Sequence, residues 1–153
     1  MFEKILYAGW GDMDFNSHMK NTAYLDKSAD VRMMFFAEHG FPMQEFLRIG
    51  IGPVVMKDEI VYYKEIGLLE EITVSLLLAG LADDGTRFIL RNDFRKKDGK
   101  PAATVISTGG WLDLKARQLT APPPELLAAL GATPQTEDFR ILPSSLKPGA
   151  NNT

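Results

Sequence analysis

Apolar and polar positions change their spacing along this chain, and the change separates one helical stretch from a series of strands. Near the start, Phe2, Ile5, Leu6 and Tyr7 supply β-favouring bulk, so residues 2–8 are expected to form a strand. Residues 9–17 show no period and read as a loop. From about Asn21 the spacing turns helical. Tyr24, Ser28, Val31 and Phe35 fall on one stripe, and Leu25, Ala29, Arg32 and Phe36 on the next. Met33 and Ala37 carry apolar character further around than a surface helix allows. A largely buried helix is therefore expected, with Asp26, Lys27, Asp30 and Glu38 on its exposed strip. Gly40 followed by Pro42 stops it, and a short helix is expected over 44–48.

The second half reads differently. Residues 54–63 are rich in β-branched and aromatic types, and 71–81 follow after a turn at Gly67. Asp83-Asp84-Gly85 signals a tight turn into 86–96. There Phe88, Leu90 and Phe94 alternate with Arg87, Arg91 and Arg95, the pattern of a half-buried strand. Asp98-Gly99 is a second hairpin signal, and 102–114 is the last strand. Three hairpin-like connections in series predict an antiparallel meander. Pro122-Pro123-Pro124 then introduces a short helix over 125–130. The expected fold class is α+β, with a five-stranded antiparallel sheet closing its apolar face over one long helix. Such a sheet has free edges, which invite edge-to-edge pairing of two copies.

Composition narrows the function classes. The chain has 153 residues, 45% hydrophobic and 24% charged, as in an ordinary globular domain. One domain over 1–131 is expected, followed at 132–153 by a polar, aperiodic segment read as a poorly ordered tail or an edge cover. There are no cysteines and only two histidines, His18 and His39. That excludes a disulfide framework, a cysteine nucleophile and a cysteine-based zinc site, and fits a reducing compartment. No metal site and no cofactor are expected. Net charge is −3, which argues against a nucleic-acid binder. Neither a signal peptide nor an apolar run long enough to span a membrane is visible, so a cytoplasmic location is expected.

The chemistry concentrates in Gly11-Asp12-Met13-Asp14-Phe15-Asn16-Ser17-His18-Met19-Lys20-Asn21. These residues run into the N-terminus of the long helix, where backbone N–H groups lack intrahelical partners and support anions or polarised carbonyls. Asp12, Asn16 and Ser17 are residues that tie loops to their own backbone. Asn21 reads as the helix N-cap. Asp14 by itself reads as a turn or helix cap. No Gly-x-Ser-x-Gly nucleophile elbow is present, and Gly50-Ile51-Gly52 lacks the rest of a dinucleotide fingerprint.

Element order over about 2–130, together with Trp10-Gly11-Asp12-Met13-Asp14 followed by His18, Asn21 and Tyr24, resembles the 4-hydroxybenzoyl-CoA thioesterase-like family of hotdog-fold proteins. A weaker match runs from Pro53-Val54-Val55 through Tyr62-Tyr63. The resemblance implies an acyl-CoA or acyl-carrier-protein thioester as substrate and hydrolysis as the reaction. It implies Asp14 as the reacting carboxylate, either general base or nucleophile. It also implies a backbone N–H near Asn21 as oxyanion donor. His18 would orient Asp14 or position water, or else cap and pack. Trp10 and Tyr24 would contact substrate, with core packing as Tyr24's other reading. Arg87, Arg91 and Arg95 share a strand face, which reads either as a solvated outer face or, with Arg91 as the cation, as a site for the coenzyme A phosphates. Because sites in this family lie between subunits, Glu59 or Asp58 would supply a second carboxylate from a partner. A homodimer follows, or a tetramer. Two other functions fit the same fold: a non-catalytic acyl-CoA-binding module, and a dehydratase or hydratase acting on β-hydroxyacyl thioesters.

Overall fold

Phe88, Leu90, Asn92 and Phe94 are buried while Arg87, Arg91 and Arg95 are half-buried, so the period-two pattern does mark a strand with one face in the core. In the computed structural model, which describes residues 1–146, that strand is β4 (Arg87–Lys96). Before it come β1 (Phe2–Tyr7), a single 3-10 turn (Trp10–Asp12), α1 (Asn21–Glu38), α2 (Met43–Ile49), β2 (Ile51–Tyr62) and β3 (Glu71–Ala82). After it come β5 (Pro101–Asp113), β6 (Gln118–Thr120), α3 (Pro124–Gly131) and β7 (Gln135–Leu142).

The five long strands lie in the order β1-β3-β4-β5-β2, each pair antiparallel. This corrects the four-strand meander. Only β3, β4 and β5 follow one another through hairpins. β1 occupies the other edge of β3, from Phe2 opposite Leu76 to Tyr7 opposite Glu71. The β3 edge being taken, β2 pairs instead along β5, from Ile51 opposite Asp113 to Tyr62 opposite Ala103. Residues 63–70 are therefore a crossover and not a hairpin. Gly109 permits the close approach of β2, since a Cβ there would lie 2.5 Å from the Val54 carbonyl oxygen.

Helix α1 lies on the sheet's inner face, as the α+β reading requires. Tyr24 packs on Phe94 with ring centroids 5.2 Å apart, and Phe36 on Trp111 at 5.6 Å. Asp26, Asp30 and Glu38 are exposed as expected, but Lys27 is drawn in by an ion pair with Asp12. Arg32 is buried, which is unusual for a guanidinium. It donates to Ser107 Oγ at 3.1 Å, and Ser107 donates to Asp58 Oδ1 at 2.5 Å. Burial lowers the Arg32 pKa and the nearby Asp58 charge opposes that shift. The relay ties α1 to β5 and β2.

Residues 135–142, assigned from sequence to a tail or an edge cover, form β7. It runs parallel to β3 beside Gly80–Ala82, beyond the reach of β1. Leu142 packs there against Ala79, Ala82 and Ile89 on the outer sheet face. Residues 147–153 of the expected tail lie outside the described ones. Among the described residues no helix is long and apolar enough to cross a membrane.

Candidate active site at the start of the central helix

The loop between β1 and α1 is folded back on itself by its own polar groups. The Asp14 N–H donates to the His18 carbonyl at 2.9 Å, the Lys20 N–H to the Asp12 carbonyl at 2.8 Å, and the Met19 N–H to the Ile66 carbonyl at 2.7 Å. Lys20, with extended backbone, is the residue that caps α1, and no side chain caps it. The Asn21 assignment is thus corrected. Asn21 is the first helical residue, and its Oδ1 accepts the Thr22 N–H at 2.9 Å. The loop backbone has already fixed the entry into the helix, which leaves no need for a side-chain cap. The Asn21 N–H itself has no acceptor among the described residues, so it is free to donate to a ligand.

Asp12 acts as scaffolding. Its Oδ2 accepts the Gly9 N–H at 2.7 Å and lies 3.0 Å from Lys27 Nζ. Partial burial pushes its pKa up, but the Gly9 N–H and the Lys27 and Lys20 charges prevail and hold it below the ordinary aspartate value. Folding therefore favours the ionised form. That contribution is fully present above the ordinary value, about pH 4, and is lost as the pH falls through the lowered one. In denaturant titrations across this range, Asp12→Asn should be less stable than wild type at neutral pH, and the gap should close on acidification. A gap that stays constant would contradict this account.

Asp14 holds the loop and also faces outward. Its Oδ1 accepts the Asn16 N–H at 2.8 Å and the His18 N–H at 3.3 Å. Its Oδ2 lies 3.5 Å from His18 Nδ1, and the side chain keeps 30% exposure. On the other side of the imidazole, His18 Nε2 lies 3.4 Å from Glu65 Oε1. His18 therefore stands between two carboxylates. Glu65 had no signal in the sequence. It follows the end of β2, and the Met19–Ile66 hydrogen bond brings it beside the loop.

A cavity of about 440 Å³ opens here. Its wall brings together Asp14, His18, Asn21 and Tyr24 with Tyr62 and Tyr63 from the end of β2. Lys20, Lys64 and Glu65 also line it. Burial pushes the Tyr24 phenol up to about 12, with Tyr62, Glu70, Asp14 and Glu65 adding to the shift. The shift keeps Tyr24 a hydroxyl well into the alkaline range. It serves both of its anticipated roles, since it packs on Phe94 and also lines the cavity.

The remaining sequence-derived residues lie elsewhere. Trp10 lines a second cavity of about 580 Å³, whose wall also includes Asp14. Glu59 and Arg91 line a groove on the outer sheet face that Asp14 does not reach. Glu59 is paired there with Lys57 at 2.7 Å, and Arg91 with Asp93 at 3.1 Å and Glu137 at 3.6 Å. Asp58 points inward to Ser107. Among the described residues no group of three or more acidic, histidine or cysteine side chains is placed to hold a metal ion.

Solved structures share this architecture. A hypothetical protein from Staphylococcus aureus, solved in complex with CoA, superposes with a TM-score of 0.78 at 20% identity, over 99% of this chain and 92% of its own. A 1,4-dihydroxy-2-naphthoyl-CoA thioesterase from Synechocystis gives 0.76 at 12% identity, over 86% and 96%. The dynemicin thioesterase, described with bound polyene, gives 0.77 at 20% identity, over 88% and 98%. At these identities the likeness is one of fold. No curated protein matches the sequence. The family model described as the thioesterase-like superfamily matches residues 8–130, which hold the Asp14 loop, the long helix and the sheet strands from β2 to β6, and the chain belongs to that superfamily.

Proposed function

We propose that this protein hydrolyses acyl-CoA or acyl-carrier-protein thioesters to a free acid and a thiol. The observation that carries this reading is a single cavity lined by both the Asp14 carboxylate and Asn21, the residue with the acceptor-free N–H. A thioester needs its carbonyl polarised and its carbon attacked. In this reading the Asn21 N–H, at the positive end of α1, holds the developing oxyanion. Asp14 takes a proton from water as that water attacks, or attacks directly to give a mixed anhydride that water then opens. In both routes the C–S bond breaks and the departing thiolate takes up a proton, for which His18 in the same cavity wall is a candidate carrier. Tyr24, Tyr62 and Tyr63 shape the surrounding wall.

The assembly we infer is a homodimer. β2 ends the strand order and pairs only with β5, leaving its other edge without a strand among the described residues. Val55, Met56, Val61 and Tyr62 stand exposed along it. A long apolar edge of this kind is normally covered. A cytoplasmic setting is consistent with the absence of cysteine.

One observation favours a second reading, the acyl-CoA-binding module. Asp14 Oδ1 is already committed to two loop N–H groups, which a purely structural aspartate would also do. A panel of short-, medium-, long-chain and aromatic acyl-CoA esters, followed by thiol release, separates the two. Turnover of at least one ester is expected. Tight binding with no thiol released from any ester would establish the binding module instead, and hydration of a 2-enoyl-CoA would establish the hydratase.

A further inference from the structure

Asp14 forms part of the wall of two cavities lined by different side chains. One is the tyrosine-lined cavity, which also presents Lys20 and Lys64. The other is a cleft walled by Trp10, Met13, Phe15 and Leu68, with Ser17 as its other polar residue. A thioester carbon held at Asp14, with its oxygen toward Asn21, must send its two substituents in different directions. We propose that the Trp10–Phe15–Leu68 cleft receives an uncharged, mainly apolar acyl group, while the tyrosine-lined cavity receives the polar thiol arm. This rests on the thioester-hydrolase reading and adds the class of acyl group to it.

The two walls differ in what they can satisfy. Trp10 is 82% exposed, Phe15 103% and Leu68 45%. Scattered exposed apolar side chains are ordinary, but a contiguous group beside a reactive carboxylate marks a surface meant to be covered. A charged or polyhydroxylated acyl group would meet only the Asp14 and Ser17 side chains as polar partners there and would lose much of its hydration uncompensated. The opposite cavity carries three phenols. Its Lys20 and Lys64 have no acidic partner within ion-pair distance among the described residues, which suits an arm bearing amides and phosphates.

The backbone on both sides of the cleft is tightly constrained. Ser17 has φ of 68° and Leu69 of 62°, a left-handed conformation that residues with a Cβ adopt only when their surroundings impose it. The Leu69 N–H donates to the Ala8 carbonyl at 2.7 Å, and the Glu70 N–H to the Gly67 carbonyl at 3.1 Å. These bonds fix the turn that presents Leu68 opposite Phe15. Since Phe15 is fully exposed, truncating it removes no core packing, and its variants should fold as the wild type does.

The test measures binding of S-alkyl-CoA thioethers from ethyl to dodecyl by calorimetry, alongside hydrolysis of the matching acyl-CoA esters. In the wild type each added methylene should tighten binding by about two- to fourfold until the cleft is filled. Phe15→Ser and Leu68→Ser should flatten that dependence. Lys64→Ala should weaken binding of every thioether by a similar factor and leave the dependence unchanged. A chain-length dependence that survives in both serine variants, or that Lys64→Ala abolishes, overturns the assignment. So does a change of oligomeric state in the serine variants by analytical ultracentrifugation, which would make the cleft a contact between copies. Because the thioethers cannot be hydrolysed, the hydrolase reading fails separately. Binding that follows the expected dependence, with no ester turned over, would refute catalysis and leave the acyl cleft standing.

Discussion

Asp14→Asn is expected to abolish measurable thioester hydrolysis, a loss of roughly 10²- to 10⁴-fold for removal of a positioned acid–base group. The substitution separates chemistry from scaffolding unusually well. Asparagine keeps an Oδ1 that can still accept the Asn16 and His18 N–H groups, so the loop should hold its shape. What disappears is the charged Oδ2 beside His18. Stability should move by less than about 1 kcal/mol, because both hydrogen bonds accepted by Oδ1 are retained and only their charge-assisted part is lost. Unchanged turnover would remove Asp14 from the chemistry and leave it a loop fastener. A large loss of folding stability would show that the charged form itself holds the loop, and any drop in activity would then be secondary.

Trp111→Ala should be the most damaging single truncation in the fold, costing about 3–5 kcal/mol. The indole is fully buried. It packs on Phe36, Phe46 and Phe88 with centroid separations of 5.6, 6.2 and 5.5 Å. These contacts join α1 and α2 to the sheet. Its Nε1–H also donates to the Gly85 carbonyl at 2.9 Å, at the turn between β3 and β4. Truncation leaves both a large cavity and a buried carbonyl without its donor. Domain stabilities are about 5–15 kcal/mol in total, so the variant should unfold at much lower denaturant concentration. Trp111→Phe should recover most of the packing but not the hydrogen bond, and should fall between the two. A loss below about 1 kcal/mol for the alanine variant would mean that the aromatic cluster repacks around the gap.

Local patterns revealed the elements but not all of their neighbours. The stripes through Tyr24 and Phe36, and the alternation from Phe88 to Phe94, are properties of a helix and a strand taken singly, and both are present. Pairing of β2 with β5 was not legible, because a turn-like segment at Gly67 reads the same whether the chain doubles back or crosses over. The deciding fact lies far away in sequence, in β1 occupying β3's edge. The strand β7 was missed for a related reason. Its inward positions are Thr136, Phe139 and Leu142, and a spacing of three leaves no strand period in the sequence.

The site divides along the same line. Asp14, His18 and Asn21 lie close together along the loop that runs into the helix, and the loop's own hydrogen bonds fold it back on itself; the sequence by itself determined that much, together with the fold class and the family. Only the tertiary structure decided the rest. It brought Glu65, Tyr62 and Tyr63 to the same cavity from the far end of β2, placed Glu59 and Arg91 on the opposite face of the sheet, and set Trp10 and Leu68 across a separate cleft. The physical reason is that a loop's internal bonds depend on neighbours in sequence. Which side of a sheet a residue faces, and what crosses over to meet it, depends on pairing between strands that sequence distance does not encode.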